Sequence, residues 1–348
     1  MDEIPLTKKN SLGPVPVARV GAVTATLVNG VFGDPLLRLE LVHRRRSLLF
    51  DLGDPGRMSA RVAHQVSDVF LSHTHADHIG GFLWFLRSRI GDLPPCRCYG
   101  PPGSARQIAG MVDGILWDRV EDRGPRFEIR EWHGDHLKCY RVNAGEGQAQ
   151  WEDDLPLIDG VLWQEPGFLV RATELDHGTP VLAYAWEAAI QVKVRRERLD
   201  EAGLKHGRWL LALKDAVTSG EGERLIALPD GSERRVAELE QQLLLVSPGQ
   251  KLVYATDFAD TPQNREQLVA LAGGAHSLFC EAAFMLKHAD QARRTQHLTT
   301  AACAEIANAA QVQNLLPFHF SKRYVQCAPE VYAEIRQYCP QTVVPVFN

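Results

Sequence analysis

Between Val69 and Gly81 the chain reads Val-Phe-Leu-Ser-His-Thr-His-Ala-Asp-His-Ile-Gly-Gly, which packs three imidazoles and a carboxylate into six positions, His73 to His78. Alternate residues of an extended chain face the same way, so His73 and His75, leaving a strand at Val69 to Leu71, can grip one ion together. Asp77 and His78 come next in a turn, from which they can reach a second ion nearby. Gly80 and Gly81 let the backbone turn tightly into the following helix. Nitrogen and oxygen donors at this density suit a transition-metal site better than a histidine-rich surface loop or a set of core histidines. Four donors leave two ions short of ligands, so the rest must come from elsewhere. Three positions just past apolar runs meet that need: His177, Asp257 and His319.

Those runs belong to a wider pattern of short, branched apolar stretches that read as buried strands: Val23 to Val28, Leu36 to Val42, Ser47 to Phe50, Val69 to Leu71, Phe168 to Ala172, Val181 to Trp186, Leu252 to Tyr254 and Leu315 to Phe318. Helical character falls at Gly81 to Ile90, Ser104 to Leu116, Pro262 to Ala272, Thr299 to Gln311 and Pro329 to Tyr338. A strand meander followed by mixed elements predicts an α/β sandwich of sheets with helices outside. With 45% hydrophobic residues among 348, a sizeable core is affordable, and a single domain over 1–348 is expected. Residues 143–166, polar and acidic, read as a surface insertion. Residues 189–245 are a second interruption, whose charged opening from Lys193 to Arg208 carries six basic and three acidic side chains; it reads either as an ordinary solvated helix, which charge alone favours, or as a protruding arm with a basic face.

Several classes are excluded or disfavoured. No apolar run approaches the roughly 18 residues needed to cross a bilayer. The start, Met1 to Asn10, carries acids before its lysines and no apolar stretch follows, so it does not read as a secretory signal, and a cytoplasmic protein is expected. Seven scattered cysteines fit reduced thiols. Cys96 and Cys98 stand too close for a zinc knuckle, and no second pair answers them. A net charge of −5 excludes a globally basic nucleic-acid coat but not a local basic patch.

The motif His73-Thr-His-Ala-Asp-His78 resembles the signature of the metallo-β-lactamase superfamily. Further segments resemble its ribonuclease Z branch, the tRNA 3′-processing endonucleases: Leu-Leu-Phe-Asp51-Leu-Gly53, Leu-Asp-His177-Gly-Thr-Pro, Tyr-Ala-Thr-Asp257, Cys-Glu281-Ala-Ala-Phe284, His297-Leu-Thr-Thr and His319-Phe-Ser-Lys-Arg323-Tyr324. They run through most of the chain in family order.

The resemblance implies a metallo-β-lactamase-like four-layer αβ/βα sandwich with an inserted arm. It implies two Zn2+ per chain, with Mn2+ or Fe2+ as alternatives. His73, His75 and His177 would hold one ion, Asp77, His78 and His319 the other, and Asp257 would bridge them. In that reading Asp77 also acts as general base, and Asp51 fixes the tautomer of a ligand imidazole from behind. His297 is the candidate general acid for a departing ribose oxygen, held in place by Glu281. Substrate contacts are expected from Arg195, Arg196, Arg198, Lys205 and Arg208 of the arm and from Arg323, with Trp209 either a stacking surface or a packing residue. The implied partners are a precursor tRNA or other RNA and a second copy of the chain in a homodimer, with no membrane.

Two stretches depart from the family. A Gly-Asp-Pro-Gly-Arg-Met turn at 53–58 replaces a Gly-rich, Gln-containing one, and the arm lacks the Pro expected after Gly207. They motivate an alternative: a hydrolase of the same fold acting on a small phosphodiester, such as a cyclic nucleotide, or on another ester. A third reading, a metal-stabilised RNA-binding module without catalysis, sits poorly with so complete a ligand set, because structural zinc sites are usually closed and unpaired.

Overall fold

The computed structural model describes residues 13–345 apart from position 43, so the reading of Met1 to Asn10 lies outside the described residues. The chain forms two compact units, one of Met1–Gln164, Val170–Trp186 and Lys251–Asn348, the other of Glu165–Leu169 and Glu187–Gln250.

In the first unit a nine-stranded sheet runs in sequence order: β1 (Val17–Val20), β2 (Val23–Leu27), β3 (Leu37–Leu41), β4 (Arg46–Phe50), β5 (Val66–Phe70), β6 (Cys96–Gly100), β7 (Arg126–Trp132), β8 (His136–Asn143) and β9 (Gln150–Pro156). Pairing is antiparallel from β1 to β4, parallel from β4 to β7 and antiparallel again to β9. The parallel crossovers are made by α1 (Ala60–Gln65), α2 (Ala76–Ile79), α3 (Phe82–Ser88) and α4 (Ser104–Asp113). Phe82, Phe85 and Leu86 of α3 and Ile108 and Val112 of α4 bury their apolar faces against Val69, Cys98, Phe127 and Ile129 of the sheet. This burial explains why α3 and α4 carry apolar residues at helical spacing.

The second sheet has six strands in the order β10 (Val161–Glu165), β11 (Phe168–Asp176), β12 (Pro180–Ala188), β17 (Lys251–Ala255), β18 (Ser277–Glu281) and β19 (Asn314–Phe318). The two sheets meet through an aromatic layer. Phe50 of β4 packs against Tyr184 of β12 and Tyr254 of β17 at 5.7 and 5.9 Å, and Phe70 of β5 lies 5.5 Å from Tyr184. These side chains are fully buried, and such contacts add to plain area burial.

In the second unit β13 (Gln191–Val194) pairs antiparallel with β16 (Leu244–Ser247), and β14 (Leu225–Ala227) with β15 (Glu233–Arg235). Around them fold α5 (Arg196–Glu201), α6 (Trp209–Thr218) and α7 (Val236–Leu243), with a small core that includes Leu199, Trp209, Leu213, Val236 and Leu239. The remaining helices belong to the first unit: α8 (Pro262–Ala272), α9 (Ala289–Thr295), α10 (Thr300–Ala309) and α11 (Ala328–Tyr338). Thr261 and Thr299 cap α8 and α10 through side-chain bonds from Asn264 N and Ala302 N.

The mixed α/β architecture expected from the sequence is present. Residues 143–166, expected as a surface insertion, carry two strands, β9 and β10, which the sequence pattern does not mark. Every residue of β9 is exposed. Its place is set by backbone pairing to β8 alone, so no apolar alternation marks it, and its run of Glu152, Asp153 and Asp154 is the kind of charge that guards a sheet edge.

A buried charge locks the parallel part of the first sheet. Asp68 of β5, fully buried, lies 2.7 Å from Arg46 Nη2 of β4 and 2.6 Å from Arg97 Nε of β6. Burial works against its ionisation, but the hydrogen bond and charge of Arg97, with further bonds from Ser67 and Arg46, hold its pKa below the ordinary value. A carboxyl depressed on folding stabilises above its unfolded pKa of about 3.9, and that stability is lost as pH falls through the folded value. Replacing Asp68 with Asn should therefore cost about 3 kcal/mol at neutral pH by taking the carboxylate from two arginines, with the gap from wild type narrowing as pH falls through the depressed pKa of Asp68. Thermal denaturation of both proteins across pH 3 to 8 checks this, and equal melting temperatures at pH 7 would refute it.

Candidate metal centre

The expected ligands gather at the carboxyl ends of strands from both sheets. Asp51 follows β4, His73 and His75 follow β5, His177 follows β11, Asp257 follows β17, Glu281 ends β18 and His319 follows β19. Asp51, Asp257 and His319 all have left-handed backbone, with φ of 56°, 49° and 57°. This conformation is costly for residues with a Cβ, and such positions concentrate at functional sites. Asp77 and His78 lie in the single turn of α2. Just beyond it Gly81 passes so near the Asp51 loop that a Cβ there would sit 2.0 Å from the Gly53 carbonyl, so a larger residue would force the loops apart.

Two groups of donors share one carboxylate. His73, His75, His177 and Asp257 offer atoms within 4.8 Å of one another, and so do Asp77, His78, Asp257 and His319. Asp257 Oδ2 lies 3.2 Å from His78 Nε2, 3.9 Å from His177 Nε2 and 4.0 Å from His73 Nε2. Asp77 Oδ2 lies 3.6 Å from His78 Nε2 and 3.5 Å from His319 Nε2.

The supporting contacts fix which nitrogen each imidazole turns inward. Asp51, fully buried, accepts from Ser72 N at 2.6 Å, Ser72 Oγ at 2.8 Å and Tyr254 Oη at 2.8 Å, and pairs with His78 Nδ1 at 2.9 Å. Ser72 Oγ also lies 3.0 Å from His73 Nδ1. His177 Nδ1 donates to the Gln296 carbonyl at 2.8 Å. The Nε2 atoms of all three rings are thereby aimed at the cluster.

The electrostatics match the geometry. Burial, together with the charge of His78, pushes the His73 pKa down to about 2, which keeps it a neutral donor. Burial opposes the charge on His78, but Asp257 and Asp51 outweigh it and hold its pKa well above the usual value. Despite complete burial Asp257 stays ionised, its pKa depressed by His319 and His78. His73 Nε2 is buried with no hydrogen-bond partner among the described residues. An orphaned nitrogen aimed at a carboxylate 4 Å off, too far for a hydrogen bond, is what a cation between them would satisfy. The donor set fits divalent metal in chemistry and placement.

Beside the cluster, His297 Nδ1 lies 3.0 Å from Glu281 Oε2, and the His297 ring is 4.9 Å from His177 and 5.5 Å from His319. Burial resists a charge on His297, yet the Glu281 carboxylate raises its pKa to about 9. Arg323 stacks on Phe284 at 5.2 Å, and Phe284 in turn lies 6.2 Å from His297. His133 and His136 stay on the β7–β8 hairpin, paired with Glu131 and Asp135. Arg195, Arg196, Arg198, Lys205 and Arg208 are all exposed on the second unit, with Arg198 bridged to Glu201 at 3.1 Å. Trp209 is no stacking surface. It is buried in that unit's own core and donates to the Lys205 carbonyl at 2.9 Å. There Lys193, Arg196, His206 and Lys214 line a pocket of about 530 Å³, and Lys214 had no signal in sequence because it lies on an apolar helix.

A paired donor site at strand ends between two facing sheets defines the class: a metal-dependent hydrolase of the metallo-β-lactamase fold. Comparison with solved structures agrees on the fold. A metallo-β-lactamase fold protein of Bacillus subtilis superposes with a TM-score of 0.51 at 14% identity, covering 93% of this chain and 97% of that one. Unliganded yeast PDE1 gives 0.52 at 9% identity, covering 96% and 98%. In sequence the chain is 32% identical to ribonuclease Z of Deinococcus radiodurans over 268 residues, 75% of this chain and 77% of that protein, and 29% identical to ribonuclease Z of Natronomonas pharaonis over 80% and 78%. The chain belongs to the ribonuclease Z family. No family model matches it.

Metal affinity should depend on Asp51 although it points away from the ions' side. Asp51→Ala takes the acceptor from Tyr254 Oη and leaves His78 Nδ1 only Ser72 Oγ, 3.3 Å away, and a chelator-competition titration should show divalent metal bound about 10- to 100-fold more weakly. Unchanged affinity would remove Asp51 from the site's support.

Proposed function

We propose that the chain is a zinc-dependent endoribonuclease that removes 3′ trailers from precursor tRNA, leaving a 3′-hydroxyl on the tRNA and a 5′-phosphate on the trailer. The observation that carries the reading is the pair of donor groups sharing Asp257, set beside the His297–Glu281 pair. Membership of the ribonuclease Z family supplies the substrate class.

In this proposal His73, His75 and His177 would hold one Zn2+ and Asp77, His78 and His319 the other, with Asp257 available to both. Two divalent ions so placed would supply Lewis acidity toward a phosphodiester and a water made nucleophilic at neutral pH. The chain's own groups do the remaining work. Asp77, kept ionised by His319 and His78 against the cost of burial, accepts the proton of the attacking water. His297, charged at neutral pH through Glu281, gives its proton to the departing ribose O3′ as the phosphorus–oxygen bond breaks. Arg323 and the exposed basic residues 195, 196, 198, 205 and 208 contact phosphates. The enzyme works as a homodimer in the cytoplasm, the assembly and compartment that the family resemblance implies. Its seven cysteines, all free, suit a reducing compartment, and no helix among the described residues is long and apolar enough to cross a membrane.

The test incubates zinc-loaded protein with a precursor tRNA bearing a 3′ trailer and, separately, with bis(p-nitrophenyl) phosphate. Cleavage of the RNA at the trailer junction, with affinity falling steeply as salt rises, is the expected result. Hydrolysis of the small diester alone would sink the tRNA assignment. His75→Ala should lose metal and both activities together. His297→Ala should keep its metal and cleave RNA about 10²- to 10⁴-fold more slowly. Full RNA cleavage by His297→Ala would take that residue out of the mechanism.

A further inference from the structure

A cavity of about 430 Å³ lies outside the paired donor groups, with His297 and Gln296 among its lining residues. Part of its lining is made of small side chains, Ala289 and Ala292 of α9 and Ala301 and Ala302 of α10, which form an apolar bed without bulk. Leu286 lines it too and keeps 46% of its surface exposed. The polar lining is dominated by one rigid group. Arg265 of α8 donates Nε and Nη2 to the two oxygens of Asp260 and Nη1 to Glu305 Oε2 at 2.8 Å, and all three residues line the cavity. Three of the five N–H donors of the guanidinium are thus engaged, and two are left for a ligand. An apolar bed with a few fixed polar groups, at this volume, is the make-up of a small-molecule subsite.

We propose that this cavity takes the nucleobase of the nucleotide whose O3′ departs, the last one the tRNA keeps. The inference rests on the function proposed above. A ribose whose O3′ is served by His297 lies within hydrogen-bond reach of that imidazole, about 3 Å, and its base, carried on the same sugar ring, is only a sugar's width further. The cavity that His297 itself lines is the space at that distance. A base has apolar faces and a polar edge, which match the alanine bed with Leu286 and the free N–H groups of Arg265. The charge decides against a phosphate there, because the one cation of Arg265 is outweighed by the carboxylates of Asp260 and Glu305. Those carboxylates also hold the guanidinium still before any ligand arrives, so little side-chain freedom is lost on binding. Seating the base fixes the leaving oxygen at His297, and its loss should therefore show in kcat as well as in KM.

The test compares two precursor tRNAs, identical except that one lacks the base at that single nucleotide, as substrates of the full-length, zinc-loaded protein. Removing the base should lower kcat/KM at the trailer junction about 10- to 100-fold. Ala289→Trp, which fills the cavity, should lower kcat/KM on the intact RNA about tenfold or more, and Leu286→Ser, which strips the exposed apolar wall, by a smaller factor. The losses should not add. Removing the base should cost Ala289→Trp less than about threefold, because the contact is already gone, and should cost Leu286→Ser less than it costs the wild type. Circular dichroism shows whether Ala289→Trp folds; if it does not, Leu286→Ser, altered at an exposed position, decides. Equal cleavage of both RNAs by the wild type, or a penalty for base removal as large in the folded variants as in the wild type, overturns this inference and leaves the proposed function standing. Failure of the wild type to cut the intact precursor at its trailer junction overturns the proposed function and this inference with it.

Discussion

The buried carboxylate of Asp51 is the point on which the site's architecture turns. It stands at the end of β4 in a left-handed backbone conformation and takes hydrogen bonds from the end of β5, from α2 and from β17. Both facing sheets are thus pinned to one anion, at the level where the metal ligands emerge. An ionised carboxylate without partners would be expelled from such an interior, so the contacts and the charge depend on each other. What holds the sheets in register also aims His78 and, through Ser72, His73.

Around that anchor the charges are divided with some economy. Asp257 is common to both donor groups, and its two oxygens face different neighbours. The imidazoles crowd to ring separations of 4.2 to 5.8 Å, a spacing at which they cannot all be charged. Neutral donors on one side and imidazolium held by carboxylate on the other are the outcome. His73 stands for the first and His297 for the second, and the contrast follows from which has an anion within hydrogen-bonding distance.

Much of this was legible in sequence because the signals were local. The cluster at 73–78 and the ligands placed after apolar runs need only strand geometry and donor chemistry to be read, and the strands from Val23 to Phe50 declare themselves by composition. What stayed hidden had no local signal. β9 has no buried face, so its acidic residues look like loop. β18 is buried at every position, so Ser-Leu-Phe-Cys-Glu shows no alternation. The role of Trp209 could not be chosen because packing inside the second unit and exposure at its surface ask for the same side chain. Which oxygen of Asp257 faces which histidine is a matter of tertiary placement alone.

The two ends of Glu187–Gln250, the longer stretch of the second unit, meet each other. Ala188 N donates to the Gln250 carbonyl at 3.0 Å, and Gly249 runs so close to Ala188 that a side chain there would meet its carbonyl oxygen at 1.7 Å. With its own core between those ends, the insertion is a module that natural selection can lengthen, shorten or recharge by recombination at one place. Because those ends meet, a change of length within the stretch need not part β12 from β17, its neighbour in the sheet.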